Sequence, residues 1–357
     1  MSMKQAMKRL AAALAAAALP AWAADPPPPV AAALERPALQ SPKSPRMAIL
    51  AVAQAGKRMV AAGERGIVIT SDDGGRSWKQ AQTPTSASLT ALRFADSLSG
   101  WAVGHMGIVL HTADGGLTWD KQLDGAQAAK LALAAAEKSG NARALQDAER
   151  LVADGADKPF FDICVLDERT LFIVGAYNQA FRSDNGGRSW TPWQDHIANP
   201  KALHLYAIHA VGDTLFIAGE QGLLLRSDDR GQRFAPIESP YKGSWFGLVG
   251  GRDGSLLAYG LRGNAYVTQD MGKHWQQAAS ATPVSISAGA ELADGRIALV
   301  SQAGEVLVSA DHGLNFTQLP QKTGLPLAAV AQGPDGLIVG SLRGVMTLPL
   351  SATPAAK

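Results

Sequence analysis

The feature that most constrains this chain is an eight-residue box, S/T-x-D/N-x-G-x-x-W/F, that recurs six times. The copies are Ser71–Trp78, Thr112–Trp119, Ser183–Trp190, Ser227–Phe234, Thr268–Trp275 and Ser309–Phe316. Their closing aromatics lie 41, 71, 44, 41 and 41 residues apart. A repeat near 40 residues with strand-like content between copies belongs to folds built from small antiparallel sheets arranged around an axis.

A second pattern counts the units. Ahead of each box stands an apolar run, a tight Gly-x-x-Gly-like turn and another apolar run, with turns at Gly63–Gly66, Gly104–Gly107, Gly175–Asn178, Gly219–Gly222, Gly260–Gly263 and Ser301–Gly304. A seventh turn, Ser341–Gly344, has no box after it. Such tips need backbones that visit positive φ, which Gly and Asn supply. The pattern predicts an all-β, seven-bladed β-propeller over residues 46–350. In the second unit it predicts strands at Leu89–Phe94, Gly100–Gly104, Ile108–Thr112 and Trp119–Leu123. The seventh unit, from about Leu325 to Leu350, offers only three strands. A strand within Leu34–Arg46 is therefore expected to complete it and close the ring, removing an exposed edge.

The box itself reads as the third-to-fourth-strand turn and as scaffold. Asp73, Asp114, Asn185, Asp229, Asp270 and Asp311 are placed to accept backbone N–H bonds. Trp78, Trp119, Trp190, Phe234, Trp275 and Phe316 are placed to cover the hairpin. The aspartates do not follow the spacing of a calcium-binding EF-hand loop, and the seven histidines form no set with metal-ligand spacing. No metal and no cofactor is expected.

Residues 1–23 read as a secretory signal: a basic start at Lys4, Lys8 and Arg9, an apolar Leu10–Leu19, and the small-x-small site Ala21-Trp22-Ala23. Ten apolar residues are too few to span a bilayer, and no Cys follows the cleavage site to take a lipid. The expected location is the periplasm or the exterior. Of the 33 Lys and Arg in the chain three fall in this segment, leaving 30 against 31 acidic groups, a formal charge of −1. So balanced a chain has no field to draw in nucleic acid, and none is expected as a partner. Residues 24–45 contain seven prolines in Asp25–Pro45 and read as a linker; 351–357 read as a tail. Cys164, the single cysteine, excludes an internal disulfide and is expected to be a buried, inert thiol.

The one break in the period places 30 extra residues between the second and third boxes. Rich in Ala, Leu, Glu, Lys and Arg, residues 126–155 predict two helices, about Ala126–Lys138 and Ala142–Ala153. Leu145, Ala148, Leu151 and Val152 are expected to share one face, with Leu131 and Ala134 or Ala135 opposing them. The insertion falls on the connection between blades, on the face of the hairpin tips. It is either a cap on blades two and three or a docking element.

The boxes, the signal segment and the unit length resemble the photosystem II stability/assembly factor family, exported seven-bladed propellers with BNR/Asp-box repeats. The resemblance covers about Met47–Leu350. It implies a non-enzymatic factor that binds and helps assemble or stabilise a membrane-associated protein complex, acting as a monomer that does not itself span the membrane. The alternative is a glycoside hydrolase of the sialidase type. Arg65, Arg262 and Arg343 would then hold a substrate carboxylate, with Tyr206 and Glu220 within one unit; Asp162 is the one clear acidic candidate on a first strand for neutral glycans. The Phe-Arg-Ile-Pro string usual in sialidases is missing. Candidate protein-binding residues lie at the tips and strand starts: Arg65, His105, Tyr177, His204, Trp245, Arg262 and Arg343, Arg and aromatic side chains being common in binding hot spots. Trp245 and Phe160 have a second reading as plugs between blades.

Overall fold

Seven antiparallel sheets, six of four strands and one of three, form the described part of the chain. This computed structural model describes residues 31–280 and 282–350. The signal segment 1–23, the start of the linker and the tail 351–357 lie outside them. Strands within each sheet follow chain order from first to last, here called a to d. The a strands are Ile49–Ala55, Leu89–Phe94, Phe160–Val165, Leu205–Val211, Trp245–Gly250, Ile286–Glu291 and Leu327–Gly333. Each packs against the a strand of the next blade, including blade one against blade seven, so the a strands ring an axis. The chain is a seven-bladed propeller. In blade two the strands are Leu89–Phe94, Gly100–Gly104, Val109–Thr112 and Asp120–Leu123, within a residue of the sequence reading.

The core is divided among the gaps between blades. The b strands are almost fully buried because both their faces meet neighbouring sheets. Each box closes a c-to-d turn in the same way. The Ser or Thr hydroxyl accepts the N–H of the box glycine, at 2.8–2.9 Å in all six copies. The Asp or Asn side chain accepts the N–H four residues on, at 2.9–3.0 Å. The glycine and the residue before it both take positive φ, even where the latter is Arg230, Met271 or His312. Each box aromatic then enters the gap towards the preceding blade. Trp78, Trp119, Trp190, Phe234, Trp275 and Phe316 belong to six different inter-blade clusters. Cys164 is buried as expected, and burial pushes its thiol up to about 12.

Ring closure differs from the expectation. Leu34–Arg46 holds no strand; it contains the end of a short helix, Ala31–Glu35, and a turn at Ser44–Arg46. Pro37, Pro42 and Pro45 lack the N–H groups that a paired strand donates. The segment is instead a strap. Ala33 O accepts from Ser86 N (2.8 Å) and Thr85 Oγ1 (2.9 Å), and Ser41 N donates to Gln80 Oε1 (2.9 Å). Leu34 and Ala38 are its buried apolar residues on the propeller side. Its far end lies so close to blade seven that a Cβ on Gly344 would sit 2.2 Å from Pro45 O. Blade seven stays three-stranded among the described residues.

The helical insertion spans Gly125–Ser139 and Ala142–Asp154. Asp124 caps the first helix by accepting from Gln127 N, Gly140 ends it in the left-handed region (φ 67°), and Asn141 caps the second. Ala148 and Leu151 are buried as expected, but Val152 is exposed. On the first helix Ala128, Ala129 and Ala136 are buried whereas Ala134 and Ala135 are exposed, a face rotated from the expected one. The insertion touches the blade-two tip: a Cβ on Gly107 would meet Gly125 Cα at 2.6 Å.

Candidate functional site

The a strands begin at the tip face, and every one contains a β-bulge near its start. The residue left unpaired is Leu50, Thr90, Phe161, Tyr206, Phe246, Ser287 or Ala328 in blades one to seven. A bulge turns its extra side chain away from the regular alternation. Here all seven line one cavity of about 140 Å³ on the axis. They form the tip-side mouth of the channel.

That mouth is asymmetric. Phe161, Tyr206 and Phe246, on three successive blades, make a continuous aromatic wall, with ring centroids 5.3 and 5.7 Å apart. The other four positions are Leu, Thr, Ser and Ala, and Thr90 and Ser287 turn their hydroxyls onto backbone carbonyls. The aromatic wall continues outward. His204 packs on Phe161 (6.1 Å) and Tyr206 (6.0 Å), and Tyr177 stands edge-on to His204 at 4.5 Å. Lys158 Nζ lies 5.7 Å from the centre of the Tyr177 ring while pairing with Asp154 and Asp157. Burial, then the charge of Glu220, raises the Tyr206 hydroxyl, so Tyr206 is held neutral.

Tyr177 also ends a second space. A cleft of about 470 Å³ separates the insertion helices from the connection between blades three and four. Ala136, Ala148 and Leu151 form one side and Ile197, Asn199 and Tyr177 the other. Asn199, which is buried, fixes this connection by donating to Asn178 Oδ1 (3.0 Å) and Leu203 O (2.9 Å). Cleft and mouth therefore meet at Tyr177.

Of the candidates read from sequence, Arg65, His105, Tyr177, Arg262 and Arg343 are exposed on tips of blades one, two, three, five and seven. His204 is half-buried between Tyr177 and the mouth. Trp245 is a correction: its side chain is 0% exposed, lies in the cluster between blades four and five, and donates Nε1 to Ser239 Oγ. The strand places Trp245 into the sheet gap and the next residue, bulged Phe246, into the mouth. Phe160 and Phe161 divide in the same way. Phe161, Phe246 and Asn199 escaped the sequence reading, since nothing in a string distinguishes the bulged residue from its neighbour.

Below the mouth, Asp162 accepts from Ile163 N (2.9 Å), from Ile208 N of the next blade (3.1 Å), and pairs with Arg93 at 3.2 Å. Burial pushes its carboxyl up against the opposing Arg93 charge. Its oxygens tie blades two, three and four together. Glu220, the other acidic candidate, accepts the backbone N–H of His204 (3.0 Å).

A family model described as "Photosynthesis system II assembly factor YCF48" matches residues 141–324, just over half of the chain. The chain belongs to the YCF48 assembly-factor family. The curated "Photosystem II assembly lipoprotein Ycf48" of Synechococcus sp. (strain CC9902) is 24% identical over 187 residues, 51% of this chain. The match spans 56% of that relative, a little over half its length. Among solved structures, a YCF48 bound to a D1 peptide superposes with a TM-score of 0.62 at 16% identity, covering 86% of this chain and 94% of that one. A xyloglucanase from Xanthomonas campestris superposes at 0.60 with 15% identity, covering 84% of this chain and 52% of its own. At such identities these two likenesses establish the propeller alone. Among the described residues of this YCF48-family chain, no helix is long and apolar enough to cross a membrane.

Proposed function

We propose that this protein is a non-catalytic, exported binding factor that captures a peptide segment of a membrane-associated protein complex and helps assemble or stabilise it. Membership in the YCF48 family and the D1 peptide bound by one solved YCF48 support the class of partner. The lipoprotein named among the relatives supports action outside the cytoplasm. The observation that carries the reading is the aromatic wall of Phe161, Tyr206 and Phe246, open at the mouth and continued through His204 and Tyr177. Partly exposed aromatic side chains that converge on one rigid surface bury large apolar area at low entropic cost, as binding hot spots do. The tip arginines Arg65, Arg262 and Arg343 lie around the same face and supply anchors for carboxylates.

The glycosidase alternative needs an acid and a base free at the mouth. Asp162 and Glu220 are both engaged with backbone N–H groups, which argues for binding over hydrolysis.

The test is a crosslinking pull-down from the native envelope with wild type and with the double variant Phe161→Ala, Phe246→Ala. Capture of a membrane complex by wild type and its loss in the variant, at an unchanged fold by circular dichroism, is expected. Equal capture by both proteins would place the binding surface elsewhere.

A further inference from the structure

Blade seven is the one sheet that, among the described residues, lacks a fourth strand, so that its outer edge is a full-length strand c. Its c strand, Gly344–Leu348, pairs with Gly336–Ser341 and, among the described residues, with nothing beyond. In the other six blades the c strand is almost wholly buried beneath strand d, whereas Val345, Met346 and Leu348 are half-exposed and Thr347 is exposed. The gap between blades six and seven is also the one inter-blade cluster without a box aromatic. Met346, Leu348 and Leu350 only partly cover it.

The six complete blades show what such an edge accepts. Each has an aromatic followed by paired strand residues; in five of them there are two, and then a third residue whose N–H donates to the first carbonyl of strand c. The five bonds are Ala81 to Val68, Trp193 to Ala180, Ile237 to Leu224, Ala278 to Ala265 and Leu319 to Val306, at 2.8–3.0 Å. By register Val345 stands where Val68 does, so Val345 and Thr347 turn their N–H and C=O groups outward. Leu348 turns inward, its carbonyl 2.2 Å from where a Cβ on Gly336 would be.

We propose that this edge is a strand-accepting site for an extended segment of a partner polypeptide, patterned aromatic-x-x-apolar, which adds the fourth strand to blade seven and seats its aromatic between blades six and seven. Strand addition draws affinity from main-chain hydrogen bonds and specificity from side-chain pockets. The pattern favours a partner over the sequence outside the described residues. In residues 1–30 the one aromatic, Trp22, has Asp25 three residues on, residues 351–357 contain no aromatic and no large aliphatic residue, and a second copy would offer Gly344–Leu348, also without an aromatic. The site is on the rim, on the outermost strand, and is independent of the channel mouth.

The probe is a fluorescent peptide copying this chain's own fourth strand of blade six, LNFTQLP (Leu314–Pro320). The full chain is expected to bind it saturably. Replacing both Phe and Leu of the peptide by Ser, or Thr347 by Pro in the protein, should weaken binding by about ten-fold or more, since Pro removes an outward N–H while sparing the inner ladder. As a readout that needs no variant, hydrogen exchange at Val345 and Thr347 should slow when the peptide binds. Three results overturn the assignment. One is no binding, or equal binding by the Thr347→Pro protein. Another is binding that emerges only after residues 351–357 are removed, which makes the tail the occupant. The last is self-association with rising concentration that Thr347→Pro abolishes, which makes it a second copy.

Discussion

The backbone N–H of Tyr177, on the tip of blade three, donates to Nδ1 of His204 at 2.9 Å, at the start of the next blade. Tyr177 is held there at φ 53°, in the left-handed region that non-glycine residues rarely occupy. An N–H pointing at Nδ1 makes that nitrogen the acceptor, so the His204 ring is fixed in orientation, nearly perpendicular to the Tyr177 ring. A strained tip is thus braced by the neighbouring blade, and the brace sets one end of the aromatic wall.

That brace separates two variants. Tyr177 is 59% exposed, so Tyr177→Ser should leave the denaturation midpoint nearly unchanged while cutting partner capture. His204→Ala removes the acceptor and should cost about 1 kcal/mol of stability as well as capture. Urea unfolding beside the envelope pull-down distinguishes them. A Tyr177→Ser protein that captures normally removes this tip from the binding surface.

The boxes should behave as turns without metal. Asp114 is saturated: Oδ1 takes Leu117 N, Thr118 N and Thr112 Oγ1, and Oδ2 takes Thr118 Oγ1, all within 3.0 Å. Asp114→Ala should lower unfolding free energy by roughly 1–3 kcal/mol. A chelator added to wild type should leave the melting temperature where it was. A drop on chelation would show that the box oxygens hold a cation instead.

The insertion is seated by a close approach of two glycines. Gly107 has φ 64°, and a Cβ there would lie 2.6 Å from Gly125 Cα. Gly107→Val should therefore destabilise the protein by roughly 2–4 kcal/mol and lift the first helix from the blade-two tip. Limited proteolysis should then cut first near Gly125. An unchanged digestion pattern would mean that the hairpin is held by its remaining contacts alone.

Most of the fold was legible in the string because each signal was local and repeated. One box and one tip per blade, at a fixed period, specify strands, turns and blade number. The helices were legible from composition, and so was most of the second helix's buried face, at Ala148 and Leu151; the first helix's face was not, because a row of alanines presents no contrast from which to orient it. The proposed binding surface was legible only where it lies on tips, as at Tyr177 and Arg65. The mouth was hidden because a bulge changes which residue of a pair such as Trp245 and Phe246 faces the axis, and both are aromatic. Closure was misread because the strap 33–47 meets its partners through side chains, carbonyls and prolines rather than through strand pairing.

The channel interior gives the fold a pH dependence whose sign follows from one residue. His209, at the far end of the blade-four a strand, accepts the Gly250 N–H through Nε2 at 3.0 Å. Burial, helped by the Arg93 charge, lowers its pKa from 6.5 to about 4. The unfolded chain takes up this proton near pH 6.5 and the folded chain only near pH 4, so the unfolded state binds more protons between those values. Stability contributed by neutral His209 is complete above pH 6.5 and drains away as pH falls to 4, by roughly 3 kcal/mol in total. Asp162, whose carboxyl burial raises, acts in the opposite sense, losing stability as pH rises. The box carboxylates Asp73 and Asp270, held low chiefly by hydrogen bonds from Ser77 and His274, begin to matter only below their ordinary value of 3.8. Comparison with His209→Gln, whose amide oxygen can still accept from Gly250, isolates the histidine from both. Urea unfolding at pH 7, 5.5 and 4 should show wild type losing stability faster than the variant. Parallel curves would mean that the ring is already solvated, and the channel open to water at its far end.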